Sequence, residues 1–230
     1  MKISAVIVAA GSGKRFGSKK QFALIDKKQV FEITLSKFQK NCRITDILLV
    51  LPPEDVNKYK KYQNKKVKII AGGKTRQHSV FNALNRLDAG TDIVVIHDGV
   101  RPFVTAEIIE ESIMVAAKYG SAVAAVPVKD TVKIVSGNVI KSTPDRKKIF
   151  LAQTPQTFRY PLILRAYKKA FKEGYFSTDD SALVERTGKK VRIIPGDYKN
   201  IKITVRSDIR SGFVSSALRR LRSRAPHSVS

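Results

Sequence analysis

The sequence has little of what a membrane or secreted protein requires. Cys42 is its only cysteine, so no disulfide can form within the chain, as is usual in a reducing compartment. No apolar run approaches the ~20 residues needed to span a bilayer, and the N-terminus does not have the layout of a secretory signal. These absences lead us to expect a soluble, cytoplasmic protein without a membrane partner.

Acidic residues are also scarce, because 19 Asp and Glu stand against 44 Lys and Arg, for a formal net charge of +25. An excess of this size suggests a nucleic-acid-binding protein. The basic residues are scattered along the chain, however, and no zinc-finger, ribonucleoprotein or basic-zipper pattern is present. We therefore expect no nucleic-acid partner, and keep that class as the alternative to an enzyme.

Histidine is rare as well, and His78, His97 and His227 are the only three in the chain. None of them forms a convincing set with a nucleophile, so the sequence offers no candidate for base-assisted covalent catalysis. His97 directly follows a predicted strand, and we expect it to orient the turn that leads to Pro102.

A glycine-containing basic loop follows the first apolar run of the chain. The loop runs through Ala9, Ala10, Gly11, Ser12 and Gly13 to Arg15 and Lys20. Small residues let backbone N–H groups approach a ligand closely, and the cations beside them suit an oligophosphate. The loop matches neither the dinucleotide fingerprint nor the Walker pattern, so phosphate binding and an ordinary strand-to-helix turn both stay open at this point.

Strand-like and helix-like stretches then alternate about every 20–25 residues. This alternation predicts an α/β fold with a doubly wound, mostly parallel sheet. The predicted strands are 2–8, 46–51, 67–71, 93–96, 121–126, 149–151 with 157–158, and 190–194; the predicted helices are 30–38, 54–63, 75–87, 105–118, 160–173, one from about 179, and 207–222. Ligands of such sheets lie outside the carboxyl ends of the strands, and the glycine loop, Gly72 and Asp98 all follow strands.

Residues 128–150 interrupt this alternation. Two short apolar stretches, 131–135 and 139–142, flank the turn residues 136–138, which predicts a β-hairpin. An exposed two-stranded ribbon is marginally stable alone, so we expect it to project from the body and pack on a dimer partner. The predicted organisation is one domain over 1–222, with 129–148 as a projecting dimerisation arm, and a disordered tail over 223–230.

The loop pattern A-A-G-x-G-x-R, followed by Lys-Gln, resembles the nucleotide-binding signature of nucleotidyltransferases that activate sugar or polyol phosphates. Further stretches resemble, in order and spacing, the cytidylyltransferase family for 2-C-methyl-D-erythritol 4-phosphate in isoprenoid biosynthesis. They are residues 97–102, 127–133, 153–156 and 200–204, and the resemblance extends from residue 3 to about 209. It implies a Rossmann-like nucleotidyltransferase that uses Mg²⁺ to join CTP and the polyol phosphate. The products would be 4-diphosphocytidyl-2-C-methyl-D-erythritol and pyrophosphate.

The resemblance also implies roles for individual residues. Arg15 and Lys20 would grip the triphosphate, and Lys202 would meet the α-phosphate. The implied nucleotide-binding residues are Ala9, Ala10, Gly11, Gly13, Gly72, Gly73, Ser79, Asp98 and Gly99. The implied acceptor-binding residues are Arg101, Thr131 and Arg146, of which the last two would reach the neighbouring subunit's site from the arm of a homodimer. Asp98 would also assist Mg²⁺, which the triphosphate itself mainly holds.

Two features bear on the choice of substrates. The family commonly has an acidic residue after the paired glycines, where this chain has Lys74, so base selectivity stays open. The similar ribitol-5-phosphate cytidylyltransferase is the nearest alternative, but its first loop usually reads A-G-G where this chain has Ala9, Ala10 and Gly11. Residues 127–131 and 178–183 also favour the isoprenoid enzyme.

Overall fold

The computed structural model describes residues 1–210. Its strands are β1 (Ile3–Val8), β2 (Leu24–Ile25), β3 (Lys28–Gln29), β4 (Asp46–Leu51), β5 (Val67–Ala71), β6 (Ile93–Asp98), β7 (Ser121–Pro127), β8 (Ile134–Ser136), β9 (Val139–Ser142), β10 (Phe150–Arg159) and β11 (Arg192–Pro195). Its α-helices are α1 (Val30–Gln39), α2 (Arg76–Leu84), α3 (Ala106–Tyr119), α4 (Tyr160–Lys172), α5 (Asp180–Glu185) and α6 (Ser207–Arg210). Within this range, no helix has both the length and the apolar character to cross a membrane.

Seven strands form one central sheet in the order β11-β7-β10-β6-β1-β4-β5. All neighbouring pairs are parallel except those of β10, which runs antiparallel to both β6 and β7. The predicted mostly parallel sheet is therefore confirmed. The antiparallel strand follows from the connection, because the chain returns from β7 to β10 without a crossover helix.

The sheet is buried on both faces by helices. Along β1, Ile3 and Ile7 contribute to the core on the side of α1 and α3, whereas Val6 and Val8 contribute to the core with α2, α4 and α5. Successive side chains of a strand point to opposite faces, so a strand covered on both sides must be apolar throughout. This burial explains the unbroken apolar run at the start of the sequence.

Several predicted elements differ from the structure. β10 is a single strand, Phe150–Arg159, in place of the two stretches 149–151 and 157–158, and α2 ends at Leu84 rather than at residue 87. Residues 54–63 form two short 3₁₀ helices, Pro53–Asp55 and Asn57–Tyr62, rather than one α-helix. Only Tyr59 is buried there, so the segment has no apolar stripe to pack an α-helix against the sheet. The last strand begins at Arg192 rather than at residue 190. The predicted helix over 207–222 begins at Ser207, but its remainder and the predicted tail lie outside the described residues.

The predicted hairpin is confirmed, with a shorter first strand. β8 and β9 pair antiparallel, and Gly137 between them has a positive φ of 55°. Nearly every residue from 129 to 148, here called the arm, is exposed. Ile134, Val135, Val139 and Ile140 are each more than half exposed. The arm therefore carries a set of apolar side chains that its own subunit does not cover.

Candidate active site

A cleft of about 380 Å³ opens at the carboxyl ends of β1, β5 and β6. The glycine loop, the segment before α2 and the end of β6 form its walls, together with a loop from the C-terminal part of the chain. The cleft brings together Ala9, Ala10, Gly11, Arg15, Lys20, Gly73, Ser79, Asp98 and Lys202. Nine positions proposed from the sequence thus meet at one rim of the sheet, as ligand sites of such folds do.

Three glycines from the same proposal shape the cleft without lining it. A Cβ atom on Gly72 would lie 2.4 Å from the Cβ of Ala10, and one on Gly99 would lie 2.7 Å from the Cβ of Ala9. Glycine at these positions therefore lets the neighbouring loops approach the glycine loop. Gly13 has a φ of 73°, in the left-handed region that glycine adopts without strain.

The glycine loop is held by contacts on both of its sides. The buried Gln21 side chain donates from Nε2 to the carbonyl oxygen of Gly11 at 2.9 Å. Phe16 is buried in a cluster with Val100 and Ile203. Arg15, the residue before it, is exposed and lines the cleft.

Lys20 is a half-buried cation among other cations. Burial lowers the pKa of the Lys20 ammonium, and the like charges of Lys202 and Arg15 lower it further. A bound anion would relieve this repulsion, so the arrangement favours a highly charged ligand. The adjacent Lys19 is different, because its ammonium pairs with the carboxylates of Glu54 and Asp55.

Asp98 is the negative charge that faces these cations. Its carboxylate accepts from Lys202 Nζ at 2.8 Å and from Arg76 Nε at 3.0 Å, and Arg101 Nε lies 3.6 Å away. Burial alone would raise the pKa of Asp98, but Arg76, Lys202 and Arg101 outweigh it and hold the pKa well below the ordinary value. Asp98 is therefore an ionised, buried carboxylate.

Arg76 and Asp180 also belong to this site, although neither was predicted as a site residue. Arg76 donates from both terminal nitrogens to the two carboxylate oxygens of Asp180, at 2.9 and 2.8 Å, and so connects this fully buried acid to Asp98. The hydroxyl of Tyr167 also donates to Asp180. The available signal was a pair of adjacent acids, 179 and 180, at a predicted helix start in a chain poor in acids.

His97 orients the turn after β6, as expected. The ring is fully buried, with Nε2 3.2 Å from the carbonyl oxygen of Arg101 and Nδ1 3.0 Å from the hydroxyl of Thr154. Burial lowers the pKa of His97 to about 4. A neutral ring therefore donates from Nε2 and accepts at Nδ1, while the Thr154 oxygen accepts from the backbone N–H of Asp98.

The remaining predicted residues lie away from the cleft or beside it. Arg101 donates to the backbone carbonyl of Asn200 at 2.7 Å, next to the loop that carries Lys202. Thr131 and Arg146 are exposed on the arm and do not line the cleft of their own subunit. Arg146 donates from Nη1 to the carbonyl oxygen of Lys129 at 3.1 Å.

Comparison with known proteins decides the family. The family model for 2-C-methyl-D-erythritol 4-phosphate cytidylyltransferase matches residues 3–214. This chain belongs to that family. The family member of Clostridioides difficile (strain 630) is 46% identical over 213 residues, which cover 90% of each chain. That of Syntrophus aciditrophicus (strain SB) is 48% identical over 217 residues, covering 90% of this chain and 93% of the relative.

A solved structure of the family has the same fold. The crystal structure of 4-diphosphocytidyl-2C-methyl-D-erythritol synthase from Anaerococcus prevotii DSM 20548 aligns with a TM-score of 0.84 at 35% identity. The alignment covers 95% of this chain and 96% of that one. The predicted Rossmann-like nucleotidyltransferase fold is thereby confirmed.

The pKa of His97 generates a testable pH dependence. Its folded value of about 4 lies below the ordinary 6.5 of an unfolded chain, so unfolding takes up a proton between these values. We expect the free energy of unfolding to fall as the pH drops from about 6.5 to about 4. Chemical denaturation across this range checks it, with His97→Gln expected to flatten the slope. A His97 NMR resonance that titrates near pH 6.5 would contradict this assignment.

Proposed function

We propose that this chain transfers the CMP group of CTP to 2-C-methyl-D-erythritol 4-phosphate and releases pyrophosphate. The observation that carries the proposal is the convergence of Arg15, Lys20 and Lys202 beside the glycine loop in one cleft. The relatives in Clostridioides difficile and Syntrophus aciditrophicus bear the name of this activity. That agreement supports the methylerythritol acceptor over ribitol 5-phosphate, and a small-molecule enzyme over a nucleic-acid-binding protein.

The chemistry requires positioning and charge stabilisation rather than a protein base. An oxygen of the acceptor phosphate attacks the α-phosphorus of CTP, and the bond from that phosphorus to the β-phosphate oxygen breaks as pyrophosphate leaves. A phosphate monoester has its second pKa near ~6 and is largely dianionic at neutral pH, so it is already a nucleophile. A buried and neutral His97, with both ring nitrogens occupied, agrees with a reaction that needs no histidine base.

The cations of the cleft would stabilise the negative charge of the phosphate groups during the transfer. Backbone groups of the glycine loop, with Arg15 and Lys20, would hold the β- and γ-phosphates, and Lys202 would meet the α-phosphate. Lys202 is paired with Asp98 in the structure. When Lys202 turns to the phosphate, Arg76 still neutralises Asp98. The Asp98 oxygen that Lys202 has left could then accept a hydrogen bond from a ribose hydroxyl.

The residues of the cleft fit a magnesium ion that arrives with the triphosphate. Among residues 1–210, no three His, Cys, Asp or Glu side chains are grouped to hold a metal. Asp98 is the one carboxylate that lines the described cleft, and Arg76 and Lys202 already contact its oxygens. Phosphate oxygens would therefore be the main ligands of Mg²⁺, with Asp98 the nearest protein carboxylate. The bound ion would neutralise triphosphate charge and fix its geometry.

The active form would be a cytoplasmic homodimer whose arms exchange. Thr131 and Arg146 would bind the acceptor, yet they lie outside the cleft of their own subunit. The arm exposes Ile134, Val139 and other apolar side chains that a second subunit could cover. Such exchange across a two-fold axis buries both ribbons at once and places Arg146 over the partner's cleft, where its guanidinium suits a phosphate.

The direct test of this function measures pyrophosphate release from CTP. We expect release with 2-C-methyl-D-erythritol 4-phosphate and little or none with ribitol 5-phosphate. ATP, GTP and UTP in place of CTP measure what Lys74 does to base selectivity. Equal or faster turnover with ribitol 5-phosphate would overturn the choice of acceptor.

Metal removal tests the role of magnesium. EDTA should abolish turnover and added Mg²⁺ should restore it, because the charge of the triphosphate must be neutralised for an anion to attack it. Pyrophosphate release is the measurement, and EDTA presaturated with Mg²⁺ is the control. Full activity in EDTA would mean that the side-chain cations suffice.

The cations of the glycine loop are tested with a matched pair of lysines. Lys20→Ala should lower kcat roughly 10²–10³-fold, the usual loss for one donor to transition-state charge, and Arg15→Ala should act alike. Lys19→Ala is the control, because Lys19 is paired with Glu54 and Asp55. Near wild-type turnover by folded Lys20→Ala protein would remove Lys20 from the mechanism.

Subunit mixing tests whether the active site is shared. Lys20→Ala and Arg146→Ala subunits should each be nearly inactive, but a heterodimer would hold one site with both lesions and one with neither. Activity should therefore recover toward half of the wild-type value per heterodimer. If mixing recovers nothing while mass spectrometry of tagged subunits shows exchange, Arg146 acts in its own subunit.

A further inference from the structure

The loop that carries Lys202 is fixed at the active site. Lys202 contacts Asp98, and the backbone carbonyl of Asn200 accepts from Arg101 Nη1 at 2.7 Å. The buried Asn200 side chain donates from Nδ2 to the carbonyl oxygen of Thr154 at 2.8 Å. This end of the loop therefore has a defined position relative to the cleft.

The other end of the same loop touches the base of the arm through Tyr198. The Tyr198 hydroxyl donates to the carbonyl oxygen of Pro127 at 2.6 Å. The Lys129 ammonium lies 3.9 Å from the centroid of the Tyr198 ring, in the geometry of a cation–π contact. Pro127 ends β7 and Lys129 begins the arm, so both contacts are made where the arm leaves the sheet.

Lys129 also joins the outgoing and returning sides of the arm. Its carbonyl oxygen accepts from Nη1 of Arg146, which lies just before the chain re-enters the sheet as β10. A continuous series of contacts thus runs from Tyr198 through Lys129 to Arg146. Tyr198 itself is 42% exposed, so its ring has little part in the core.

We propose that Tyr198 is a positioning residue for the acceptor: it holds Lys129, and through it Arg146, at a fixed place relative to the Lys202 loop. This inference rests on the proposed function, in which Arg146 binds the acceptor phosphate. In an arm-exchanged dimer, Tyr198 would connect the loop of one subunit's site to the residues that complete its partner's site. It touches no reacting atom in this role.

The experiment compares Tyr198→Ala with Tyr119→Ala in the full chain. Tyr119 is a matched control, since it is 49% exposed, lies beneath Lys118 and Arg192, and precedes the start of β7, whereas the arm follows the end of that strand. Tyr198→Ala loses one hydrogen bond and one cation–π contact, so we expect the KM for 2-C-methyl-D-erythritol 4-phosphate to rise roughly tenfold. The KM for CTP and the Tm should change little, and Tyr119→Ala should match wild type.

Two further measurements separate positioning from a general structural role. Hydrogen–deuterium exchange of peptides over 129–148 should be several-fold faster in Tyr198→Ala, and this readout needs no catalysis. Tyr198→Phe keeps the ring beneath Lys129 and should rescue part of the acceptor KM. An unchanged rate of hydrogen–deuterium exchange over 129–148, or equal rises in the KM for acceptor and CTP, would overturn the proposal. If the wild type shows no CMP transfer, the proposed function fails separately. The hydrogen–deuterium exchange of the arm then decides alone whether Tyr198 positions it.

Discussion

The cleft depends on two buried carboxylates in a chain with an excess of positive charge. Arg15, Lys20, Lys202, Arg76 and Arg101 would repel one another at the same rim without them. Asp98 opposes three of these cations, and Asp180 fixes Arg76 through two parallel hydrogen bonds. Removing one partner of a buried pair typically costs about 3–5 kcal/mol, against about 0–1 kcal/mol for an exposed pair. These two acids therefore matter more to the site than any ion pair on the surface.

The sequence predicted best where local pattern decides the structure. The apolar run at residues 3–8 predicts a buried strand, and β1 lies between β6 and β4 with a hydrophobic core on each of its faces. Thr75 is of the residue type that begins helices, and its side chain accepts from the backbone N–H of His78 at the start of α2. Because parallel strands end at one rim, the positions of Gly11, Gly73 and Asp98 after three strands were enough to predict their convergence.

Prediction was weaker where distant parts of the chain meet. The pairing of Arg76 with Asp180 joins residues 104 positions apart, and no periodicity in the sequence encodes it. The place of β10 between β6 and β7 was not predicted either, since hydrophobic pattern gives a strand but not its neighbours. A polar stretch also does not show whether it will form an α-helix or a 3₁₀ helix. Residues 54–63 have a helical composition, but they have no apolar stripe that would favour the α-helix.

The pairing of β7 with β10 gives the arm an uneven stiffness. The ladder continues from Pro127 opposite Phe150 to a hydrogen bond from the N–H of Val128 to the carbonyl of Ile149. Thr131 and Arg146 lie within three residues of its end, whereas the apolar tip has only the short pair β8 and β9. We therefore expect the arm to be rigid near the sheet and flexible at its far end. In the proposed dimer, we expect the base of the arm to hold polar groups in place and the tip to adjust to the partner's surface.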